Sequence, residues 1–432
     1  MLRSMLVVTI ALAVVASGAD AHQRASAQSP PARDAASVSQ LPQLLGFANG
    51  AIVRVDPDSL QALAGARIRV GSGGCAARYG GTACWSAPPW AAAPDRQRLA
   101  VARNDASSVE LIDARTLRVL ARIPISGGSI GALSWLGGNR LLAVQEVGGE
   151  RQRLLVLDPA KRRVVARHPL NGSVQRLALA GHRLVLVLSP VQRIGPARIA
   201  VASATGAVRV VPLAQIRAGS KVLGTGSQFA FETQLPGLAV DSVGGHAFVV
   251  DAGRVADVDL ARLTVSYHPL SRQTAAATKE VSGHERDAVW LGGGTLAVSG
   301  SDTTRDQTRP AGLLAIDTRT WNVRTLNPDA TSVELADNLL LASGERPDAG
   351  KAVGIGLVAY RLDGSRRFQV LDGQPVWLAL AYGGRAYVGV SGEDPLTIVE
   401  LASGAVGGQQ TRSPPTLLLG RGAGWWQQPI TP

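Results

Sequence analysis

Few residues of this 432-residue chain have types and spacing that could do chemistry. The densest run is Gly283-His284-Glu285-Arg286-Asp287, preceded by Arg272 and Lys279 and followed by Asp302, Arg305 and Asp306. An imidazole and two carboxylates this close could help hold a cation. Alternation along an extended chain, however, puts Glu285 and Asp287 on one side and His284 on the other, so no proper ligand set forms and no metal is expected. Across 271–287 and 299–311 the charges balance, five basic against five acidic with His284 aside. Such a mixture suits a polar ligand or partner better than a polyanion. Solvated loops paired among themselves are the plain alternative. The candidate ligand-binding residues are therefore Arg272, Lys279, His284, Glu285, Arg286, Asp287, Asp302, Arg305 and Asp306.

Other motifs lack the context their chemistry needs. Gly127-Gly128-Ser129-Ile130-Gly131 has the G-x-S-x-G spacing, but a nucleophile elbow requires a strand turning into a helix, and this segment joins two strands. Gly354–Ala359 resembles G-x-G-x-x-A but leads into a strand, with no helix N-terminus for a pyrophosphate. His168 and His268 share one repeat position, and His182 and His246 share another, which accounts for them without metal. Asp113, Asp158, Asp259 and Asp317 recur one per repeat at a tight turn, the place of an Asx-turn acceptor. Trp135, Trp290 and Trp377 fall on inner strands as packing residues, and nothing else supports a quinone stacked on them. No catalytic residue is assigned and no cofactor is expected.

The elements that must position these residues repeat. The segment VELIDARTLRVLARIPIS (109–126) matches LLVLDPAKRRVVARHPLN (154–171), with further copies at 256–271 and 313–328 and weaker ones at 51–68, 199–213, 357–371 and 397–409. Each is an alternating strand, an Asp-led turn and a second strand. A second two-strand unit lies between copies, as in LSWLGGNRLLAVQ (133–145). Four strands every 45 or so residues is the signature of a β-propeller blade. The expected fold is all-β: a single propeller of eight four-stranded antiparallel blades, with seven as the alternative count. The chain begins with an outer half-blade (51–68) and ends with an inner one (416–426), so pairing of the two ends should close the ring.

Segment 101–128, VARNDASSVELIDARTLRVLARIPISGG, resembles the YVTN-type repeat of bacterial propellers in its Asn104 turn, its Val109–Thr116 strand and its Ala121–Ile125 strand. The resemblance speaks for fold and not for function, because similar propellers serve as surface scaffolds, lactonases and quinoprotein enzymes. The long insertions at 71–89, 214–236, 271–286, 299–311 and 343–355 all fall on one face of the ring, where binding residues concentrate.

Composition bounds the rest. A hydrophobic content of 46% excludes a mostly disordered chain. Net charge is +12, but it is spread, with Lys161-Arg162-Arg163 the longest basic run, so no nucleic-acid partner is expected. Residues 1–21 have the charged start, short apolar run and small-x-small site of an export signal; 22–40 read as a flexible leader and 41–432 as the propeller domain. Export makes a Cys75–Cys84 disulfide the default for the two cysteines. No later apolar run is long enough to span a bilayer. The expectation is an extracytoplasmic, monomeric, noncatalytic propeller. It would bind a ligand or a cell-envelope or protein partner through the long-loop face. The alternative is a propeller enzyme, a metal-dependent lactonase or hydrolase or a quinoprotein dehydrogenase. Acidic side chains converging on the central channel would favour the enzyme; a broad patch off the axis would favour the binder.

Overall fold

The computed structural model describes residues 41–411, apart from 72–73, 79–80, 86–87, 104, 106, 138–139, 149–150, 224–229, 242, 244, 271–282, 305–307, 349–350 and 391–394, together with 417–419. The expected export signal and leader lie outside the described residues.

Each repeat folds back on itself three times. In one, Trp90–Ala92, Arg98–Ala102, Ser108–Asp113 and Val119–Pro124 pair in succession, all antiparallel. The Asp-led turns set the last reversal. Asp113 Oδ1 accepts from the N–H groups of Arg115 and Thr116 at 3.1 and 2.6 Å and from the Thr116 hydroxyl at 2.8 Å. Asp158, Asp259 and Asp317 accept backbone N–H groups in the same way. These bonds hold all four carboxyls below the usual carboxylate range, so they are structural anions and not proton carriers.

The core lies between sheets. Leu184–Leu188 is a continuous apolar run because both of its faces are covered: Leu184, Leu186 and Leu188 pack on Leu142, Val144 and Val156, while Val185 and Val187 pack on Val240, Val249 and Val258. The outer strands have one wet face, and Arg163–Leu170 alternates accordingly between exposed and half-buried positions. Trp135 wedges between neighbouring sheets, its Nε1 donating to Ala91 O at 3.1 Å.

Six sheets stand alone as propeller blades. Their first strands are Leu45–Ala48, Trp90–Ala92, Ile130–Trp135, Gly237–Val240, Ala330–Ala336 and Val376–Tyr382, the first of these followed inward by the closing strand. The expectation of eight blades, or of seven, is corrected to six: the other two sheets are the hairpin of Gly74–Arg78 with Gly81–Trp85 and a fused sheet of ten strands. It has a four-strand meander at each end, 173–223 and 283–327, fused through one hairpin. The physical reason is that strand Val208–Leu223 does not stop at the outer edge. It runs on to pair with Ala230–Leu235, whose end pairs in parallel with Gly283–Gly292.

The ends meet, though not as two halves. Three strands come from the start of the domain, Leu45–Ala48, Ala51–Val55 and Ala62–Arg69, and one, Leu417–Leu418, from the end. Leu418 lies opposite Gly46 and Leu417 opposite Phe47. Among the described residues no helix is long and apolar enough to cross a membrane.

Candidate functional site

The described parts of three of the long insertions come together in one sheet. The end of Val208–Leu223, then Ala230–Leu235, the start of Gly283–Gly292, the end of Thr295–Thr303, and Thr308–Pro310 lie side by side in the ten-stranded sheet. Gly300, at φ 150°, permits the close approach this requires: a Cβ there would lie 2.0 Å from Glu285 O.

Strand alternation separates the carboxylates of Gly283–Gly292 from its cations. Glu285 and Asp287 share one face. Both meet Arg176, whose Nη2 is 3.5 Å from Glu285 Oε1 and 3.8 Å from Asp287 Oδ1. Arg176 comes from the first strand of another unit, Ser173–Ala180, at a bulge that follows Val174. Its guanidinium also donates to Gln175 O at 3.2 Å and Arg286 O at 3.3 Å. Asp287 is buried, and desolvation pushes its carboxyl up to about 7. Burial outweighs the Arg176 guanidinium, which stands beyond hydrogen-bond distance. The cluster thus sets the Arg176 guanidinium beside two carboxyl groups, of which burial favours the protonated form of Asp287.

The opposite face is a structural lock. Arg286 is 2% exposed, with Nη2 2.5 Å from Asp302 Oδ1 and Nη1 donating to Ser301 O at 2.8 Å and Glu285 O at 2.9 Å. His284 is buried beside it. Desolvation first, and the Arg286 charge second, bring its pKa down to about 3, so it stays neutral. Among the described residues nine buried side-chain polar atoms lack a hydrogen-bond partner. Five of them gather here: Arg176 Nε, Gln234 Oε1, His284 Nε2, Asp287 Oδ1 and Ser299 Oγ. Buried polar atoms of this kind ask for ordered water or a polar ligand.

Glu285 also lines a cavity of about 70 Å3 with Ser301, Ser332, Glu334, Ser343 and Trp377. Ser332 and Glu334 lie on the first strand of the next blade and Trp377 on the first strand of the one after. The cavity therefore lies where the first strands of these two blades meet the ten-stranded sheet. Two carboxylates and no basic residue are among its lining residues, and it has room for a few waters or one small polar group.

Of the candidates named from sequence, His284, Glu285, Arg286, Asp287 and Asp302 are brought together. Only Glu285 reaches the cavity; Asp287 sits behind it and Asp302 turns away to Arg286. Arg272, Lys279, Arg305 and Asp306 lie outside the described residues. Sequence reasoning missed Arg176, Glu334 and Ser332. The available signal for Arg176 was a lone charge in the otherwise apolar run Leu177–Ala180 and its approach. Among the described residues no group of three or more His, Cys, Asp or Glu could hold a metal ion. Ser129 precedes a strand and no helix follows it.

Solved structures are similar to this chain to different degrees. A dihydro-heme d1 dehydrogenase, NirN, in complex with DHE aligns with a TM-score of 0.55 and 14% identity, covering 91% of this chain and 77% of that one. Hydrazine synthase of Kuenenia stuttgartiensis aligns at a TM-score of 0.43 and 13% identity over 72% of this chain and 94% of that one. At such identities the NirN match shows the propeller fold alone. No protein-family model matches the chain, and no curated protein matches it.

Proposed function

We propose that the protein is a noncatalytic binding propeller whose ligand site is the inner-strand cavity beneath the ten-stranded sheet. The site would take a small cationic or hydrogen-bond-donating group. The observation that carries this reading is the lining: Glu285 and Glu334 with three serines and Trp377, and no basic side chain. The lining thus offers carboxylate and hydroxyl acceptors and no side-chain cation. An ammonium group is a donor that such acceptors suit. The YVTN-like repeat and the export signal support an extracytoplasmic setting, with the ring as a rigid scaffold for the site.

A second reading, a hydrolase, draws on one feature. Asp287 holds its proton to about pH 7, as a general acid would. It is weaker because Asp287 does not line the cavity.

The test is a thermal-shift and calorimetric panel of alkylammonium compounds, sugars, calcium and quinones against the wild type, Glu334→Gln and Glu285→Gln. A ligand at a hundred times its Kd stabilises by about 2.7 kcal/mol. The expected result is a shift with alkylammonium compounds that Glu334→Gln abolishes. A shift with calcium or a quinone instead, or one unaltered by Glu334→Gln, would overturn the assignment.

A further inference from the structure

We propose that the outer rim built from Val119–Pro124, Arg163–Leu170 and the first part of Val208–Leu223 docks on the surface of an anionic lipid bilayer. The three strands are the outermost of three consecutive units, joined to one another through shared cores. Their exposed charges have one sign. The first strand and its turn carry Arg115, Arg118 and Arg122, the last of these paired with the buried Glu110 of the adjacent strand at 2.7 Å. The second carry Lys161-Arg162-Arg163 and Arg167, and the third carries Arg209 and Arg217. Only two carboxylates occur in 113–124, 158–170 and 203–217, and both are occupied. Asp113 closes its own turn, and Asp158 closes its turn and binds Arg140 at 2.5 Å. Elsewhere on the rim the balance varies: 259–269 has one acid and one base and 400–410 has only Glu400, while 361–371 has three bases against Asp363 but no exposed large apolar side chain.

A second, independent observation decides the partner's chemistry. Among the described residues seven large apolar side chains are exposed, and four of them, Val119, Leu120, Val165 and Val210, stand on these same three strands at 41–50% exposure. Guarding an open sheet edge explains charge there, but it does not explain apolar side chains set between the charges. A soluble polyanion would use the guanidinium groups and leave the apolar ones wet. The boundary between headgroups and acyl chains of an anionic bilayer satisfies both, as it does for amphipathic surface helices. The attachment proposed is a surface one, made by side chains of folded strands.

Vesicle co-sedimentation of the whole protein tests this, using phosphatidylcholine alone and phosphatidylcholine with one-third phosphatidylglycerol, at low and high salt. Pelleting is expected only with the anionic vesicles and only at low salt. Arg163→Gln with Arg167→Gln should lower partitioning about 25-fold, near fivefold per charge. Leu120→Ser with Val165→Ser should lower it severalfold while leaving its salt dependence unchanged. The control Arg366→Gln with Arg367→Gln, on a distant blade, should pellet like wild type. Absence of pelleting with anionic vesicles overturns the proposal. So does an equal loss in the control, which would make net charge the cause. Binding to soluble heparin without vesicle binding would also overturn it, in favour of an anionic polymer.

Discussion

Gln234 sits opposite His284 in the only parallel strand pairing among the described residues. Both side chains bury a polar atom that no protein group satisfies, Gln234 Oε1 and His284 Nε2. This pairing fuses two units into one sheet and fixes the start of Gly283–Gly292. The lock of Arg286 and the position of Glu285 over the cavity both depend on that register.

The Arg286–Asp302 pair should behave as a buried ion pair with further hydrogen bonds. Arg286→Met leaves the Asp302 carboxylate without its guanidinium and should cost about 3–5 kcal/mol in urea unfolding. Asp302→Asn keeps an acceptor and should cost about 1–2 kcal/mol. Arg286→Met combined with Asp302→Leu should recover part of the first loss. If the double variant is as unstable as the sum of its parts, the two residues do not act as a pair.

Asp287 and His284 should give opposing pH dependences. The folded pKa of Asp287 is raised to about 7, so its contribution to stability is lost as pH rises from about 4 to about 7. That of His284 is lowered to about 3, so its contribution is lost as pH falls below 6.5. Between these limits they offset each other. Asp287→Asn should unmask the histidine, with stability rising with pH from 4 to 6.5 by up to about 1.4 kcal/mol per unit. His284→Asn should show the reverse slope. Parallel profiles in wild type and both variants would show that neither group titrates in this way.

Cys75 lies opposite Cys84 in the hairpin of Gly74–Arg78 and Gly81–Trp85. Cα atoms of directly opposed residues are about 4.5–5.5 Å apart, within the range a disulfide spans. We propose that the bond forms in the exported protein, where it should stabilise the loop by about 2–3 kcal/mol. Intact mass should fall by about two daltons relative to the reduced chain, as expected for loss of two hydrogens. Two alkylatable thiols in native protein would contradict it.

Ring closure should depend on a short segment. Leu418 and Leu419 are each 5% exposed, and Leu419 N donates to Leu45 O at 2.8 Å. Ending the chain at Gln410 exposes Leu45–Ala48 as an open edge and removes two buried leucines, for a loss of about 3–6 kcal/mol. Leu418→Ala alone should cost about 2–5 kcal/mol. A truncated protein with the Tm of the full chain would mean that the ring is not held there.

Much of this molecule was legible in its sequence because the relevant forces are local. Period-two alternation over 109–126 and 154–171, with an aspartate at the turn, specifies strand, reversal and strand within a dozen residues. The same alternation separates Glu285 and Asp287 from His284 and Arg286. The blade arrangement was not legible, because Gly219, at φ 118° where Val208–Leu223 leaves its own sheet to join another, is a lone glycine in an extended run and does not announce a change of partner. The 3-to-1 division of the closing sheet depends likewise on a partner at the far end of the chain.

The site needed the tertiary structure. Arg176 and Glu285 are 109 residues apart in sequence, and Glu334 and Trp377 come from two further sheets. Nothing near any of them in sequence selects the others. Hydrogen-bond pattern and alternation are set between neighbours along the chain. Which charges share a cavity, and how far burial moves a carboxyl such as Asp287, is set only when the ring packs and water is excluded.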